Sequence, residues 1–388
     1  MESTIDFKLG AVIGKGSYGK VHVGKYKNNQ EDVAIKTCCI DEVPSDEWQL
    51  TLGETCITME LCHEGLIKFI HTQISNSVLY RVMPLMPYLS CDKIMEKSYP
   101  YGIPEVAISM ILKDILNALE YLHGRNYINR SVKGSHILIS ESGAAVLTSF
   151  RFMLKMNVTD PKTYSVENIE FMKKNMIWLS PEIIKQDSTG YSYTSDIYSV
   201  GITACELANG VAPYKDTNPT MMLVKKLKDR RPQVWDSKYL EQNQACSSQQ
   251  ALPRQPAPVC GQGVNSILLS ESSSDSDEDF TVKNNSMEQM NKIYREKLFS
   301  KEFQNFLDLS LCIDGDARLS ASGALKHRFI KSCQGHPSTE LLQLLNLTDP
   351  VVYQPVPETQ EAEKPQVFKL SPEDIDWNFD STSSDESE

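Results

Sequence analysis

The feature that most limits the fold is a glycine-rich segment, GKGSYGKV, placed between two strand-like runs. Gly14, Gly16 and Gly19 match a G-x-G-x-x-G pattern, which indicates dinucleotide binding when a helix follows it. Here a second β-branched run, KVHVGKY, follows instead, so the segment predicts a turn between two strands. Because glycine has no Cβ, the backbone N–H groups of such a turn can approach phosphates closely. The segment therefore predicts a phosphate-covering loop.

The chain divides into a β-rich part and a helical part. In the first part, one helical stretch near residues 48–62 interrupts five strand-like runs, LGAVIG, KVHVGKY, DVAIKTC, LIKFI and LYRVM. Further along, the apolar spacing becomes helical, and DIYSVGITACELANG indicates a buried helix that ends at Gly210. These patterns predict an α+β, bilobal fold over residues 7–330, with a small β-rich N-lobe that carries one key helix and a large helical C-lobe.

Two segments have the composition of flexible chain rather than of a packed core. Residues 237–286, rich in Ser, Pro, Gln and acidic residues, are predicted to form a disordered insertion, and residues 350–388 a flexible acidic tail with a docking motif. Of the net charge of −12, residues 358–388 contribute −8 and residues 270–280 contribute −5. The rest of the chain is close to neutral and has no basic stripe, so nucleic acid is not an expected partner.

The other motifs follow in the order that protein kinases show, which predicts a protein-kinase fold for this domain. VAIK ends in Lys36 at strand distance from the glycine-rich loop. Glu54 falls on the first helix, where a kinase places the ion-pair partner of this lysine; the alternative is a solvated helix face. SPE ends in Glu182 at the A-P-E position. Asp196 and Arg318 lie where kinases place an anchor of the catalytic loop and the partner of that glutamate.

The residues that would carry out phosphate transfer are replaced. In NRSVKGSH, Ser131 stands at the position of the base Asp, and His136 at that of a metal-binding Asn; Ser149 of SFR replaces the Asp of D-F-G. A neutral hydroxyl cannot act as a carboxylate base, and Mg²⁺ prefers oxygen ligands, so His136 is interpreted as a loop histidine. No catalytic residue and no metal site are expected. Lys133 has two alternatives, a contact to a γ-phosphate or a loop ion pair.

The groups that hold a nucleotide are present, and they predict that the domain binds ATP with little dependence on Mg²⁺. Val21 and Ala34 are expected on one face of adenine and Leu138 on the other. In the linker MPLM, the Pro84 carbonyl and the Met86 N–H are placed to hydrogen-bond adenine. The full set of expected nucleotide contacts is Ile13, Gly14, Gly16, Gly19, Val21, Ala34, Lys36, Glu54, Pro84, Met86, Lys133 and Leu138.

Two longer runs, SVKGSHILIS and GYSYTSDIYSVGITACELANGVAPYKD, are similar to those of the sterile-twenty-related adaptor (STRAD) pseudokinases. The resemblance implies an inactive kinase fold that binds and allosterically activates a serine/threonine kinase of the liver kinase B type. It also implies a second partner, a helical-repeat scaffold of the calcium-binding protein 39 family. Unlike the vertebrate members, this chain keeps a complete glycine-rich loop and the strand lysine. Asn129 replaces the usual histidine of the catalytic loop.

The C-terminal segment SPEDIDWNFDSTSSDESE places Trp377 and Phe379 among acidic residues. The resemblance implies a terminal Trp-Glu-Phe that inserts into a pocket of the scaffold; here Asn378 is the middle residue and nine residues follow Phe379. Tryptophan is a frequent interface anchor. Docking to the scaffold and an incidental aromatic pair remain the two alternatives.

Nothing in the sequence indicates a membrane or secretion. No apolar run reaches the ~18 residues of a membrane span, no secretory signal is recognisable, and the scattered cysteines are expected to be reduced thiols. We therefore expect a protein of the cytoplasm, or also of the nucleus, without membrane insertion. The leading interpretation is a catalytically inactive adaptor. The alternatives are a weakly active serine/threonine protein kinase with an atypical site and an ATP sensor without an obligate partner.

Overall fold

The computed structural model gives the chain a strand-rich N-lobe followed by a helical C-lobe. It describes residues 7–16, 18–27, 31–157, 162–163, 169–186, 190–215, 217–228, 231–238, 294, 296–348, 350 and 367–368. Within these residues, the strands and helices follow each other in the order that the sequence predicts. The predicted α+β, bilobal protein-kinase fold is confirmed.

The N-lobe is built on an antiparallel sheet. Its first five strands are β1 (Phe7–Gly16), β2 (Gly19–Tyr26), β3 (Asp32–Cys39), β4 (His71–Ser75) and β5 (Val78–Pro84), and their order across the sheet is β1-β2-β3-β5-β4. Val21 lies opposite Lys36, and Ala34 lies opposite Met83. Because alternate residues of a strand share a face, Val21, Ala34 and Lys36 all lie on one face of this sheet.

Helix α1 (Ser45–Glu60) buries a polar face rather than an apolar one. Its buried residues are Glu47, Thr51, Glu54, Thr55 and Thr58. The hydroxyls of Thr51 and Thr55 donate to backbone carbonyls one turn earlier, at 2.9 and 2.7 Å, which satisfies them inside the fold. Because this face is polar, the position of the helix depends on hydrogen-bonded and charged partners from other elements.

The fourth strand begins later than the sequence predicts. The prediction places it over LIKFI, residues 66–70, but β4 begins at His71. Leu66 and Ile67 are buried, and the Ile67 N–H donates to the Leu147 carbonyl of the C-lobe at 3.0 Å. A connecting segment that packs against the other lobe is as apolar as a buried strand, so the prediction from composition was wrong here.

The C-lobe packs around two long helices, α3 (Glu105–His123) and α6 (Thr194–Asn209). The other described elements up to residue 331 are α2 (Cys91–Ser98), β6 (Tyr127–Ile128), β7 (Ile137–Ile139), β8 (Ala145–Leu147), β9 (Leu154–Lys155), α4 (Ile169–Asn175), α5 (Pro181–Lys185), α7 (Pro219–Leu227), α8 (Lys301–Ser310), α9 (Ala321–Leu325) and α10 (Arg328–Lys331). Helix α6 is buried throughout residues 195–209. It ends at Gly210, whose φ of +79° suits glycine, so its predicted end is confirmed. None of the described helices is long and apolar enough to cross a membrane.

The packed core continues past residue 330. Helix α11 (Ser338–Leu344) buries Leu341, and Leu345 follows it into the main core. A further strand, β10 (Val367–Phe368), pairs with β4 as the sixth strand of the N-lobe sheet. Neither element is predicted from the sequence, because one short helix and a two-residue strand carry too little periodicity to be recognised.

Described residues before and after the predicted insertion lie next to each other in the C-lobe. Of residues 237–286, only the first two are described. The Ser237 N–H donates to the Lys297 carbonyl at 2.9 Å, and the ring centres of Trp235 and Tyr294 lie 5.6 Å apart. These contacts join the chain before the insertion to the chain after it.

Candidate functional site

An ion pair between the half-buried Lys36 and the buried Glu54 joins β3 to α1. Lys36 Nζ donates to both carboxylate oxygens of Glu54, at 3.1 and 3.0 Å, and Arg81 of β5 donates to the same carboxylate at 2.8 Å. Burial alone would raise the pKa of Glu54, but the charges of Lys36 and Arg81 outweigh burial and lower it. Burial also lowers the pKa of Lys36, against the effect of Glu54. The predicted pairing of Lys36 with Glu54 is present, and Arg81 is a third member that the sequence did not indicate.

The glycine-rich turn contains one glycine that packing requires and two that it does not. A Cβ on Gly19 would lie 2.0 Å from the Thr37 carbonyl oxygen, so the approach of β3 requires glycine there. At Gly14 and Gly16 a Cβ would meet nothing closer than 3.6 and 3.7 Å. The fold leaves room for side chains at these two positions, and a ligand that approaches the backbone would use that room.

The apolar residues of the predicted nucleotide site come from both lobes and from the linker between them. They are Ile13, Val21, Ala34, Pro84, Met86 and Leu138. Those on β1, β2 and β7 are half-buried; Pro84, the last residue of β5, is exposed, and Met86 packs partly against the main core. Apolar side chains that are half-buried provide walls that a flat aromatic ligand can cover.

Asp196 of α6 anchors the backbone at the start of the catalytic loop. Its buried carboxylate accepts the backbone N–H groups of Asn129 and Arg130, at 2.8 and 2.7 Å, and contacts His123 Nε2 at 2.9 Å. Arg130 has a φ of +63°, which is uncommon for a residue with a side chain. The charge-assisted bonds to Asp196 offset that strain. The predicted anchor position of Asp196 is confirmed.

Ser131 and His136 form a closed hydrogen-bond network rather than a reactive pair. His136 Nδ1 lies 2.8 Å from the Ser131 carbonyl oxygen, so this nitrogen carries the proton, and Ser131 Oγ accepts from it at 3.0 Å. The Ser131 hydroxyl donates to Asn175 Oδ1 at 3.2 Å. Burial, assisted by the charge of Lys133, lowers the pKa of His136 to about 3, so the ring is neutral. The network fixes Ser131 without giving it a base.

The position of the metal-binding D-F-G motif carries no carboxylate. Ser149 is half-buried with a φ of +67°, and Phe150 beside it is buried in the main core. Arg151 donates to Thr51 Oγ1 of α1 at 2.8 Å and forms an ion pair with Glu47. The described residues contain no group of three His, Cys, Asp or Glu side chains that could hold a metal ion. The donor set at this site does not fit Mg²⁺.

Lys133 contacts a backbone carbonyl and an aromatic ring, and its predicted contact to a γ-phosphate stays a prediction. Its Nζ donates to the Lys174 carbonyl at 3.1 Å and lies 5.1 Å from the ring centre of Trp178. Burial lowers the pKa of Lys133 to about 8. Both contacts belong to the chain between β9 and α6, so Lys133 connects the catalytic loop to that segment.

Glu206 of α6 supports the catalytic loop from within the core. Its Oε2 accepts from the Gly134 N–H at 3.0 Å and from Trp178 Nε1 at 2.9 Å. A Cβ on Gly134 would lie 2.9 Å from Glu206 Oε1, so a side chain at this position would displace the carboxylate of Glu206. Burial raises the pKa of Glu206 to about 7. The sequence contains a signal for this residue, since an acidic residue within an apolar helix needs buried partners.

Two arginines hold described parts of the chain between β8 and α6. Arg130 donates through Nε to the Phe152 carbonyl at 2.7 Å and through Nη1 to the Tyr191 hydroxyl at 2.8 Å. Arg318 donates to both carboxylate oxygens of Glu182, at 2.7 and 3.1 Å. The predicted pair of Arg318 and Glu182 is confirmed.

Asn129, at the position of the usual loop histidine, is only half satisfied. Its Oδ1 accepts the Ser131 N–H at 3.0 Å, whereas its buried Nδ2 has no hydrogen-bond partner in the described part of the chain. The side chain therefore closes a local turn of the loop.

Some functional residues were not predicted, and others lie outside the described residues. Nothing local marks Asn175, whose contact with Ser131 depends on a fold across 44 residues. Arg151, in contrast, is visible as a charged residue in the position of the D-F-G glycine. The predicted docking pair, Trp377 and Phe379, lies outside the described residues and stays a prediction.

The two lobes, the ion pair and the anchored loop define a protein kinase domain, and the family model described as Protein kinase domain matches residues 7–330. The chain is 32% identical to the STE20-related kinase adapter protein alpha of Rattus norvegicus, over 89% of this chain and 84% of the rat protein. The Homo sapiens alpha protein is also 32% identical, over 89% of this chain and 77% of the human one. The Homo sapiens beta protein is 29% identical, over 87% and 78%. The chain belongs to the STE20-related kinase adapter family, a family of pseudokinase adaptors.

Proposed function

We propose that the protein is a catalytically silent adaptor that binds ATP and allosterically activates a serine/threonine kinase of the liver kinase B type. One observation carries the proposal: the pair of Lys36 and Glu54 is formed, while Ser131, His136 and Ser149 occupy the base and metal positions. Loss of one group could be compensated elsewhere, but base and metal donors are lost together. The fold thus keeps an active-like shape without the groups that transfer phosphate.

ATP binding is supported by the groups around the glycine-rich turn. Lys36 keeps 31% of its side chain exposed while Glu54 holds its ammonium, so the charge remains available to a phosphate. A Cβ at Gly14 or Gly16 would meet nothing closer than 3.6 Å, so the fold leaves room beside the backbone at both positions. Since carboxylate donors for Mg²⁺ are missing, these groups would hold the phosphates with little help from metal.

ATP binding is tested by thermal-shift titration in the presence of Mg²⁺ and in excess chelator. We expect similar stabilisation in both, about 2.7 kcal/mol when ATP is at 100 times its Kd. Lys36→Ala should remove the stabilisation, and Lys25→Ala, at an exposed position of β2, is the matched control. Absence of stabilisation by ATP with or without metal would contradict the proposal.

The adaptor role is supported by the relatives, whose names describe them as kinase adapter proteins. We further propose a scaffold of the calcium-binding protein 39 family as the second partner, engaged through Trp377 and Phe379. The test measures the activity of purified liver kinase B with and without this chain and the scaffold. We expect activation only in the complex, and weaker scaffold affinity after changing both aromatics to Ala. Unchanged affinity would remove the docking role.

A weakly active serine/threonine kinase is the second candidate. The complete glycine-rich loop and the formed Lys36–Glu54 pair favour it, because these parts are needed for transfer as well as for binding. Transfer of phosphate at more than trace rates, abolished by Lys36→Ala, would establish this alternative over the silent adaptor.

A further inference from the structure

The sixth strand of the N-lobe sheet comes from far along the chain. β10 pairs antiparallel with β4, with Val367 opposite Ser75 and Phe368 opposite Ile74. Without β10, β4 would be an edge strand that presents unpaired N–H and C=O groups, which is a template for the addition of another strand. The chain therefore covers this edge with its own C-terminal extension.

The same extension is attached to the C-lobe at its other end. Leu341 and Leu345 are buried in the main core, and the Tyr99 hydroxyl donates to the Leu344 carbonyl at 3.3 Å. Asn346 Nδ2 donates to the same hydroxyl at 3.2 Å. One end of the extension is thus fixed on the helical lobe and the other on the sheet of the N-lobe.

The length of the connecting chain determines how often β10 meets the β4 edge. Pro350 and Val367 are 17 residues apart, so the chain between them spans at most ~60 Å. A two-residue strand is too short to pair stably by itself. A tether of this length keeps its effective concentration at the sheet edge near the millimolar range, which favours pairing within the chain.

β4 also lies next to the ion pair of the candidate site. Across the β4–β5 hairpin, Thr72 is opposite Arg81, the residue that donates to Glu54. A change at the β4 edge is therefore one strand away from the residues that hold Lys36.

We propose that the C-terminal extension acts as a strap whose strand, β10, closes the β4 edge of the N-lobe sheet against other strands. A sheet without this pairing would present the backbone N–H and C=O groups of β4 as a template for a further strand. The proposal concerns the sheet edge and stands independently of ATP binding.

Amide hydrogen exchange at single residues tests the strap. Asn76 and Ser77 both have positive φ, so they form a tight two-residue turn whose flanking residues, Ser75 and Val78, bond within the hairpin. Because N–H groups alternate in direction along a strand, the N–H of Ile74 faces β10, whereas those of Gln73 and Ser75 face β5.

The variant Val367→Pro/Phe368→Pro removes both N–H groups of β10 and keeps the rest of the extension. We expect the exchange rate of the Ile74 amide to rise about fivefold, because the net free energy of one backbone hydrogen bond corresponds to about that factor. The exchange rates of the Gln73 and Ser75 amides should not change. Thr359→Pro/Gln360→Pro, outside the pairing, is the matched control and should exchange like the parent chain.

Two truncations separate the strap from the aromatic pair. A chain that ends at Leu370 keeps β10 but lacks Trp377 and Phe379, and its Ile74 amide should exchange as slowly as in the full chain. A chain that ends at Pro350 should match the double-proline variant. Unchanged exchange of Ile74 in the double-proline variant, or fast exchange in the chain that ends at Leu370, would overturn the proposal.

Discussion

The two sides of the cleft between the lobes differ in the charge of their side chains. On the N-lobe side, Lys36, Arg81 and Glu54 form a charged set in which every member is paired. On the C-lobe side, Ser131 and His136 form a neutral set that is closed by hydrogen bonds. Both sets are buried or half-buried, and the described residues leave one buried nitrogen of the charged set, Arg81 Nε, without a hydrogen-bond partner. Side chains are therefore held in place by hydrogen bonds on both sides of the cleft, but only the set on the N-lobe side is charged.

This difference shows that the shape and the chemistry of a phosphate-transfer site can be separated. The anchor at Asp196 and the support at Glu206 hold backbone N–H groups of the loop, so they do not depend on which side chains the loop carries at 131 and 136. The loop can therefore lack the catalytic base and the metal donors and still have the same backbone conformation.

Restoring the lost groups has the largest expected effect on the comparison. The triple variant Ser131→Asp/His136→Asn/Ser149→Asp should transfer phosphate at least ~10²-fold faster than any of the single variants, because a base contributes ~10²–10⁴ and Mg²⁺ adds to it. The measurement is transfer of labelled phosphate from ATP to a protein substrate in Mg²⁺. Adding Lys36→Ala should abolish the gain. A triple variant as inactive as the single ones would show that the N-lobe side is not competent either.

Removing the shared carboxylate breaks the N-lobe side. Glu54→Ala leaves Lys36 and Arg81 without their partner in the core, and loss of one member of a buried pair costs ~3–5 kcal/mol of unfolding free energy. Chemical denaturation measures the loss. Glu60→Ala, at the exposed end of the same helix, is the control. A loss no larger than that of the control would contradict the role of the charged set.

A pH series sharpens the description of the C-lobe side. The pKa of Glu206 is raised from 4.5 to about 7 in the folded protein, so the folded state binds a proton more tightly than the unfolded state. The stability that this group contributes is present below pH 4.5 and is lost as the pH rises from 4.5 through about 7. Between pH 5 and 8, the free energy of unfolding should fall by ~2 kcal/mol more in the parent than in Glu206→Gln.

Urea denaturation at several pH values measures this difference. Glu141→Gln, at an exposed position, should follow the parent curve. Parallel curves for the parent and Glu206→Gln would show that the carboxyl of Glu206 does not titrate in this range.

The smallest expected effect is at Asn129. Asn129→Ala loses the bond from the Ser131 N–H but also removes the unpaired Nδ2, so the two changes oppose each other. The free energy of unfolding should change by no more than ~1 kcal/mol. Asp196→Ala, which removes acceptors from two backbone N–H groups, should cost clearly more in the same denaturation assay.

The sequence predicted those features that depend on local pattern or on fixed spacing. The strand–turn–strand unit, the Lys36–Glu54 pair, the anchor Asp196 and the end of α6 at Gly210 are of this kind. The features that it missed depend on the tertiary fold. The contact of Asn175 with Ser131 and the polar face of α1 arise only when distant elements meet, and no periodicity announces them.

The contacts at the two ends of the insertion also have a consequence for how this lobe can be modified. The hydrogen bond between Ser237 and Lys297 and the ring contact between Trp235 and Tyr294 fix the points where the intervening chain leaves and returns. With both points fixed, a doubling of loop length costs the fold only ~0.6 kcal/mol. A fluorescent reporter or an affinity tag grafted into residues 239–293 would be inserted between two neighbouring fixed points. The C-lobe is therefore expected to tolerate such an insertion.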